Sequence, residues 1–346
     1  MANPNILCDT AGMDRERWLE CRMHGPKGDI PYTVGSSDVA TIFGLSPWTT
    51  PLELWRIKKG LMVPSLKDNE DQLEMGHLLE PIAAYWYGKK TGNIVTDDTN
   101  MYQHADFPYA LANFDRRFEE STGLKGLVEC KSTTFHKAPD WADGAIPIYY
   151  DYQLRFALAV DDSDVGDFSC MWGNNPKTDI VTPRIHRDKF LEDIIFEKLE
   201  RWIWSLENDK PPTMADVDPS LALKGLAKIY GASKGSLPTL TLPSHLENSA
   251  RKIAELQAST AEHNAAIKNN EKGILAHSVR IAEIMKEHQH AVLETTEDKL
   301  LIDYVSKFTK RPSSDLLKKD HPDVYDEVLK TTESRKVKVT VRSLAS

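Results

Sequence analysis

Cysteine is scarce and dispersed. The four residues, Cys8, Cys21, Cys130 and Cys170, form no Cys-x-x-Cys pair. Such spacing argues against a zinc or iron–sulfur site and fits reduced thiols in a cytoplasmic protein. The opening stretch, MANPNILCDTAGMDRERWLECR, has no apolar core of the secretory kind, so no signal peptide is expected. Uninterrupted apolar runs of about eighteen residues are missing, and no membrane span is expected. There is no internal repeat and no low-complexity tract. An excess of positive charge is also lacking: the formal net charge is −9. That weighs mildly against a nucleic-acid substrate, although basic groups lining one groove would suffice. The 11 histidines show no metal-ligand spacing.

The residues that are present describe an ordinary globular chain, 40% hydrophobic and 27% charged over 346 residues. That length suits one large domain with an appendage. Residues 1–210 mix helix and strand signals. Helices are expected at Asp14–Arg22, at SDVATIFG with Ser37 or Asp38 as cap, at PLELWRIKKG, and at Asp71–Tyr87. The segments NIVTDD, YALANF and GLVECKST read as short strands, the second and third as a hairpin or neighbours. A helix over Pro147–Val160, strands at DFSCMW and DIVTPRI, and a helix over Arg187–Leu206 complete this part. Strands alternating with helices indicate an α/β domain, a mixed sheet with helices packed on it. Pro211 and Pro212 open an expected linker, residues 211–245. Residues 246–346 read as a helical extension. It holds an amphipathic helix or helical hairpin over Leu246–Val292, breakable at Gly273, then a basic stretch and a final strand.

The strongest chemical signal is Asp115 followed by Glu129-Cys130-Lys131. Strand side chains alternate, so Glu129 and Lys131 share one face while Cys130 takes the other. Pairing the two strands would bring Asp115 beside Glu129. Two carboxylates hold a hard divalent cation through oxygen and leave positions for water and phosphate. The Cys130 backbone carbonyl is a further candidate ligand, and Lys131 is placed to hold or help deprotonate the attacking water. The same letters also suit a hairpin with solvated charges, so context decides.

The context is a series of ordered motifs. Trp18-Leu19, Arg22, Gly35-Ser36-Ser37-Asp38, Gly44-Leu45-Ser46-Pro47, the Pro51–Gly60 element and the Gly76–Pro81 helix precede the Asp…Glu-x-Lys pattern. Gln153, within Tyr149–Val160, follows it. Over residues 15–205 this series resembles the YqaJ viral recombinase family, which includes the lambda-type phage exonucleases. The resemblance implies a PD-(D/E)xK core, restriction-endonuclease-like, although Asn113-Phe114-Asp115 lacks the Pro of that name.

The resemblance also implies roles. Asp115, Glu129 and the Cys130 carbonyl would be metal ligands, with Glu80 a further carboxylate acting directly or through water. Lys131 would position the water, and Gln153 would orient Lys131 or the scissile phosphate. Arg22 and Ser37 match the positions that hold a terminal 5′-phosphate, chemistry suited to a guanidinium and a hydroxyl near a helix start. The cofactor expected is Mg²⁺, with Mn²⁺ able to stand in, as two ions. The activity expected is digestion of linear double-stranded DNA from 5′ to 3′, leaving 3′ strands for phage-type recombination. The expected partners are DNA ends, a single-strand annealing protein and further copies of the chain in a ring-like trimer. The setting would be the cytoplasm of a bacterial host, with a phage or prophage as source. Three alternatives stand beside it: an endonuclease on the same core, a non-catalytic DNA-end-binding scaffold, and an RNA-directed nuclease, for which the sequence offers no RNA-reading motif. Trp18, Trp48, Trp55 and Trp86 read as packing residues ahead of base-stacking platforms.

Overall fold

The computed structural model of the chain describes residues 5–63, 70–231, 237–306 and 313–328. It divides into two compact units, Met1–Gly231 and Ala232–Ser346. The first unit opens with β1 (Asn5–Asp9), α1 (Arg15–His24), β2 (Val34–Gly35), α2 (Ser36–Ile42), α3 (Pro51–Lys58) and α4 (Glu70–Thr91). Five strands follow: β3 (Ile94–Asp97), β4 (Asn100–Gln103), β5 (Ala110–Asn113), β6 (Arg116–Glu119) and β7 (Lys125–Ser132). Then come α5 (Ile148–Asp161), β8 (Val165–Met171), β9 (Ile180–Val181), β10 (Arg184–His186), α6 (Lys189–Glu207) and α7 (Pro219–Tyr230).

Two mixed sheets form the centre. One runs β1-β4-β5-β2 and the other β10-β8-β7-β6-β3, with β9 on β8. In the second, β7 lies parallel to β8 and antiparallel to β6. A parallel pair needs a crossover, and α5 supplies it between β7 and β8. The sheet is covered on both faces. Val128 and Cys130 of β7 pack with Ala83, Ala84 and Tyr87 of α4. Leu127 packs on the other face, with Leu154, Ala157 and Leu158 of α5. This is the α/β architecture that the sequence implies, a mixed sheet flanked by helices.

The helix starts follow local chemistry. Asp14 accepts from the Arg17 N–H at the start of α1, and Thr50 with Glu53 forms a reciprocal capping box on α3. On α2 the cap is Gly35, not Ser37 or Asp38. Asp38 sits in the first turn, and its Oδ2 accepts from the Gly35 N–H at 3.0 Å.

Three expectations about elements are corrected. The partner of β7 is β6, not the YALANF strand, which forms β5 of the other sheet. The sequence of β6, RRFE, looks like a charged loop. It is a strand because Phe118 is buried while Arg117 pairs with two carboxylates. The first unit also reaches Gly231, beyond the boundary expected near residue 210, because α7 packs back on α3. Gly225 makes that contact close: a Cβ there would sit 2.9 Å from the Glu53 carboxylate. Gly273 does not break α8 (Glu247–Met285), and the helix stops at Met285 instead of running to Val292.

The second unit consists of α8, a hairpin of β11 (His290–Glu294) and β12 (Lys299–Asp303), and the short helices α9 (Ser314–Asp320) and α10 (Pro322–Val328). The final strand expected from TESRKVKVTVRS lies outside the described residues. No helix among the described residues is long and apolar enough to cross a membrane.

Candidate active site

The β6–β7 hairpin sets the centre of the site. Its register pairs Arg116 with Val128 and stops there. Carried one step further, that register sets Asp115 opposite Glu129. Hydrogen-bonding groups of alternate strand residues point to alternate sides, so the Cys130 N–H and C=O both face the side where β6 has ended. Asp115 fills part of that gap: its Oδ2 accepts from the Cys130 N–H at 2.8 Å. The Cys130 carbonyl is thereby directed to the Asp115 side, as a ligand there would need. The Cys130 thiol lies buried on the opposite face among α4 residues.

Glu129 and Lys131 share a face, as strand alternation requires. The Lys131 Nζ donates to Glu129 Oε1 at 2.6 Å, and Gln153 Nε2 from α5 donates to the same oxygen at 2.5 Å. Lys131 also lies over the Tyr150 ring, 5.0 Å from its centroid. Glu80 enters from α4, beside Pro81, and its Oε1 meets His77 Nδ1 at 3.0 Å. A cavity of about 260 Å³ is lined by Glu80, His77, Cys130, Lys131 and Tyr150. Thus Glu80, Asp115, Glu129, Lys131 and Gln153 converge from α4, the residue before β6, β7 and α5.

The electrostatics follow from that convergence. Burial, then the charges of Asp115 and Glu80, raise the Glu129 carboxyl despite the Lys131 ammonium beside it. Burial followed by Asp115 likewise raises Glu80, against the bond from His77. Burial would depress Lys131, but Glu129 and Asp115 outweigh it and hold the ammonium charged. Three carboxylates against one lysine leave the cluster short of positive charge.

The donor set suits a hard divalent cation. Glu129 spends Oε1 on two donors and Asp115 spends Oδ2 on one. Each carboxylate therefore keeps an oxygen without a hydrogen bond among the described residues. No three His, Cys, Asp or Glu side chains among the described residues already close on one point.

Arg22 and Ser37 lie together at a second cavity. The Arg22 Nη2 donates to Ser37 Oγ at 2.5 Å, and the guanidinium stacks 5.1 Å from the Trp18 ring. Gly35 makes room, since a Cβ there would stand 2.5 Å from Arg22 Nη2. Two motifs interlock beneath them: Lys58 Nζ meets Asp38 Oδ2 at 2.8 Å, with both side chains largely buried. Burial works against the Asp38 charge, but Lys58 and Arg22 prevail and hold its carboxyl below the usual range.

Of the site residues expected from the sequence, Arg22, Ser37 and Gln153 line one cavity and Glu80, Cys130 and Lys131 the other, while Asp115 and Glu129 are tied to these by hydrogen bonds to the Cys130 N–H and from Lys131 and Gln153; Tyr150 lines both cavities. Sequence reading missed Tyr150 and His77. Their signal was helical spacing, since each stands three residues before a chosen residue, Gln153 and Glu80. Of the tryptophans, Trp55 is buried as expected, whereas Trp48 is 52% exposed.

Residues 17–164 match the model of the YqaJ-like viral recombinase domain. The protein YqaJ of Bacillus subtilis (strain 168) is 27% identical over 340 residues, covering 96% of each chain. Among solved structures, an alkaline exonuclease of Laribacter hongkongensis superposes with a TM-score of 0.45 and 20% identity over 56% of this chain and 94% of its own. Its complex with dAMP gives 0.46 and 19% over the same shares. A phage related exonuclease of Haemophilus somnus 129PT gives 0.37 and 14% over 51% of this chain and 94% of its own. Residues 17–164 are thus similar to the YqaJ-like viral recombinase domain.

Proposed function

We propose that the chain is a metal-dependent deoxyribonuclease that digests linear double-stranded DNA from its ends. The observation that carries this reading is the meeting of Glu80, Asp115, Glu129 and Lys131 around one strand end, with Gln153 fixing Glu129.

Asp115, Glu129 and the Cys130 carbonyl would hold the metal, with Glu80 direct or through water. When bound, Mg²⁺ or Mn²⁺, as one ion or two, screens phosphate charge and lowers the pKa of water. Lys131 donates to the attacking water and presents its lone pair to the phosphorus. Gln153 holds Glu129 in place from α5, so the carboxylate does not turn toward Lys131 alone. Arg22 and Ser37 take the terminal 5′-phosphate. Gripping that end gives 5′ to 3′ polarity and leaves a 3′ single strand, the substrate of a single-strand annealing partner. A ring-like homo-oligomer, a trimer by family likeness, would keep the duplex threaded between cuts.

The test is digestion of linear and closed-circular duplex DNA, with Mg²⁺ or with chelator, beside Lys131→Ala. Loss of the linear DNA alone, dependent on both Mg²⁺ and Lys131, is the expected result; labelling each end then gives polarity. Cutting of the circle would turn the reading to an endonuclease. Intact DNA in every lane would leave an end-binding scaffold.

A further inference from the structure

We infer that Trp48 is a stacking platform for the nucleobase of the terminal nucleotide whose 5′-phosphate sits on Arg22 and Ser37. The inference deepens the nuclease reading and rests on it for the class of substrate.

The cavity beside Arg22 has a volume of about 330 Å³ and includes Ser37, Trp48, Tyr149, Tyr150 and Gln153 in its wall. That lies within the roughly 300–1,000 Å³ usual for small-ligand pockets. Its chemistry is divided. Arg22 and Ser37 offer a guanidinium and a hydroxyl, whereas Trp48, Tyr149 and Tyr150 offer aromatic surface. A phosphate matches the first group and a base the second, so a nucleotide matches both. Gln153 and Tyr150 continue the wall to Lys131. The next phosphodiester along the strand would therefore lie toward the carboxylates.

Trp48 is unlike the packing tryptophans. Trp55, Trp141 and Trp202 are 5%, 2% and 5% exposed, whereas Trp48 is 52% exposed. Among the described residues no aromatic neighbour lies flat on it. Tyr149 meets it at 4.9 Å with the planes at 75°, and Tyr150 at 6.4 Å and 46°. The ring is nonetheless held in place. Its backbone N–H and that of Thr49 both donate to the buried Ser46 Oγ, each at 3.3 Å. Thr50 then caps α3. A large apolar ring kept half in water on a pinned backbone, at the rim of an anion pocket, fits base stacking, which is sequence-tolerant because every base has a π-face.

The test is equilibrium binding of the full chain, in chelator, to fluorescent hairpin duplexes. The ends carry a 5′-phosphate or a 5′-hydroxyl, and a normal terminal nucleotide or an abasic one. Wild type is expected to favour the normal end over the abasic end by roughly thirtyfold, mid-range for one base–aromatic stack. Trp48→Ala should bring that ratio near one while the phosphate-over-hydroxyl preference survives; Arg22→Ala should do the reverse. Trp48→Tyr, which keeps a ring, should retain most of the ratio and controls for folding. An unchanged ratio in Trp48→Ala overturns the platform and leaves the nuclease reading standing. Equal binding of all four ends by wild type overturns the platform and the phosphate-gripping end recognition together.

Discussion

Arg117 is the residue on which the geometry of the β6–β7 hairpin most depends, two positions from Asp115. Its guanidinium donates twice to Asp161, at 2.9 and 2.6 Å, and once to Asp98 at 2.5 Å. It also stacks 5.1 Å from the rings of Tyr102 and Phe114. The two carboxylates are only 2% and 4% exposed. Arg117→Ala would strand both. Removing one partner of a buried ion pair costs about 3–5 kcal/mol. For a unit of this size that corresponds to a fall in Tm of about 6–20 °C. Tryptophan fluorescence isolates the effect, since all 8 tryptophans, Trp18 to Trp204, lie in the first unit. The pH dependence identifies the cause. In the wild type, burial opposes the Asp98 charge, but bonds from the Asn100 N–H, Tyr102 and Arg117 hold its carboxyl below the usual range. That contribution is complete above about pH 4 and is lost as pH falls through the folded value. In Arg117→Ala the buried Asp98 carboxyl loses its cation and favours its neutral form more than in the wild type, so the penalty of the substitution is full at neutral pH and is relieved on acidification. The gap between variant and wild type should therefore be widest near pH 7 and narrow toward pH 4. A Tm loss below about 3 °C, or a gap constant across that range, would refute the electrostatic account and leave only lost packing.

Gly35→Ala tests the Arg22 pocket without removing its charge. The new methyl would stand 2.5–2.9 Å from the guanidinium, a flexible side-chain end that moves aside. The fold should hold, whereas preference for a 5′-phosphorylated end in a digestion assay should fall as far as in Arg22→Ala; a retained preference would show that Arg22 does not grip phosphate from this position. Gln153→Ala tests positioning. Losing the donor to Glu129 should lower activity or metal affinity by roughly 10–100-fold, read as a reduced kcat and a higher Mg²⁺ midpoint with KM for duplex unchanged. An unaltered kcat and midpoint would exclude the role.

The chemistry of the site was far more legible in the sequence than the partners of its strands. Asp115, Glu129 and Lys131 stood out because the strand period fixes which side chains share a face, whatever the strand pairs with. The hairpin itself was not legible. RRFE carries two arginines in four residues, and what makes it a strand is Asp98 and Asp161, which lie 19 and 44 residues from Arg117 and are visible only in three dimensions. The same holds for α7. Its contact with α3 depends on Gly225 lying against Glu53 and Thr50, and no local pattern announces that. Helix positions were more legible than their caps: Pro51 and Gly60 bracket α3 within the local sequence, whereas the cap of α2 is Gly35 and not Ser37 or Asp38.

The two cavities share residues of α5 in their walls. Tyr150 lines both cavities, and Gln153 lines one while donating to Glu129, which also accepts from Lys131 in the wall of the other. These residues stand one helical turn apart on a helix packed against the sheet through Leu154, Ala157 and Leu158. Tyr150 and Gln153 are thus placed by core packing and not by a loop. Rigid elements hold a site to closer tolerance than loops do. On the nuclease reading, an end seated on Arg22 meets Lys131 and the carboxylates at a fixed remove, so each cut would release a product of constant length. Heterogeneous products from a uniform 5′-phosphorylated duplex would show that this spacing does not govern cleavage.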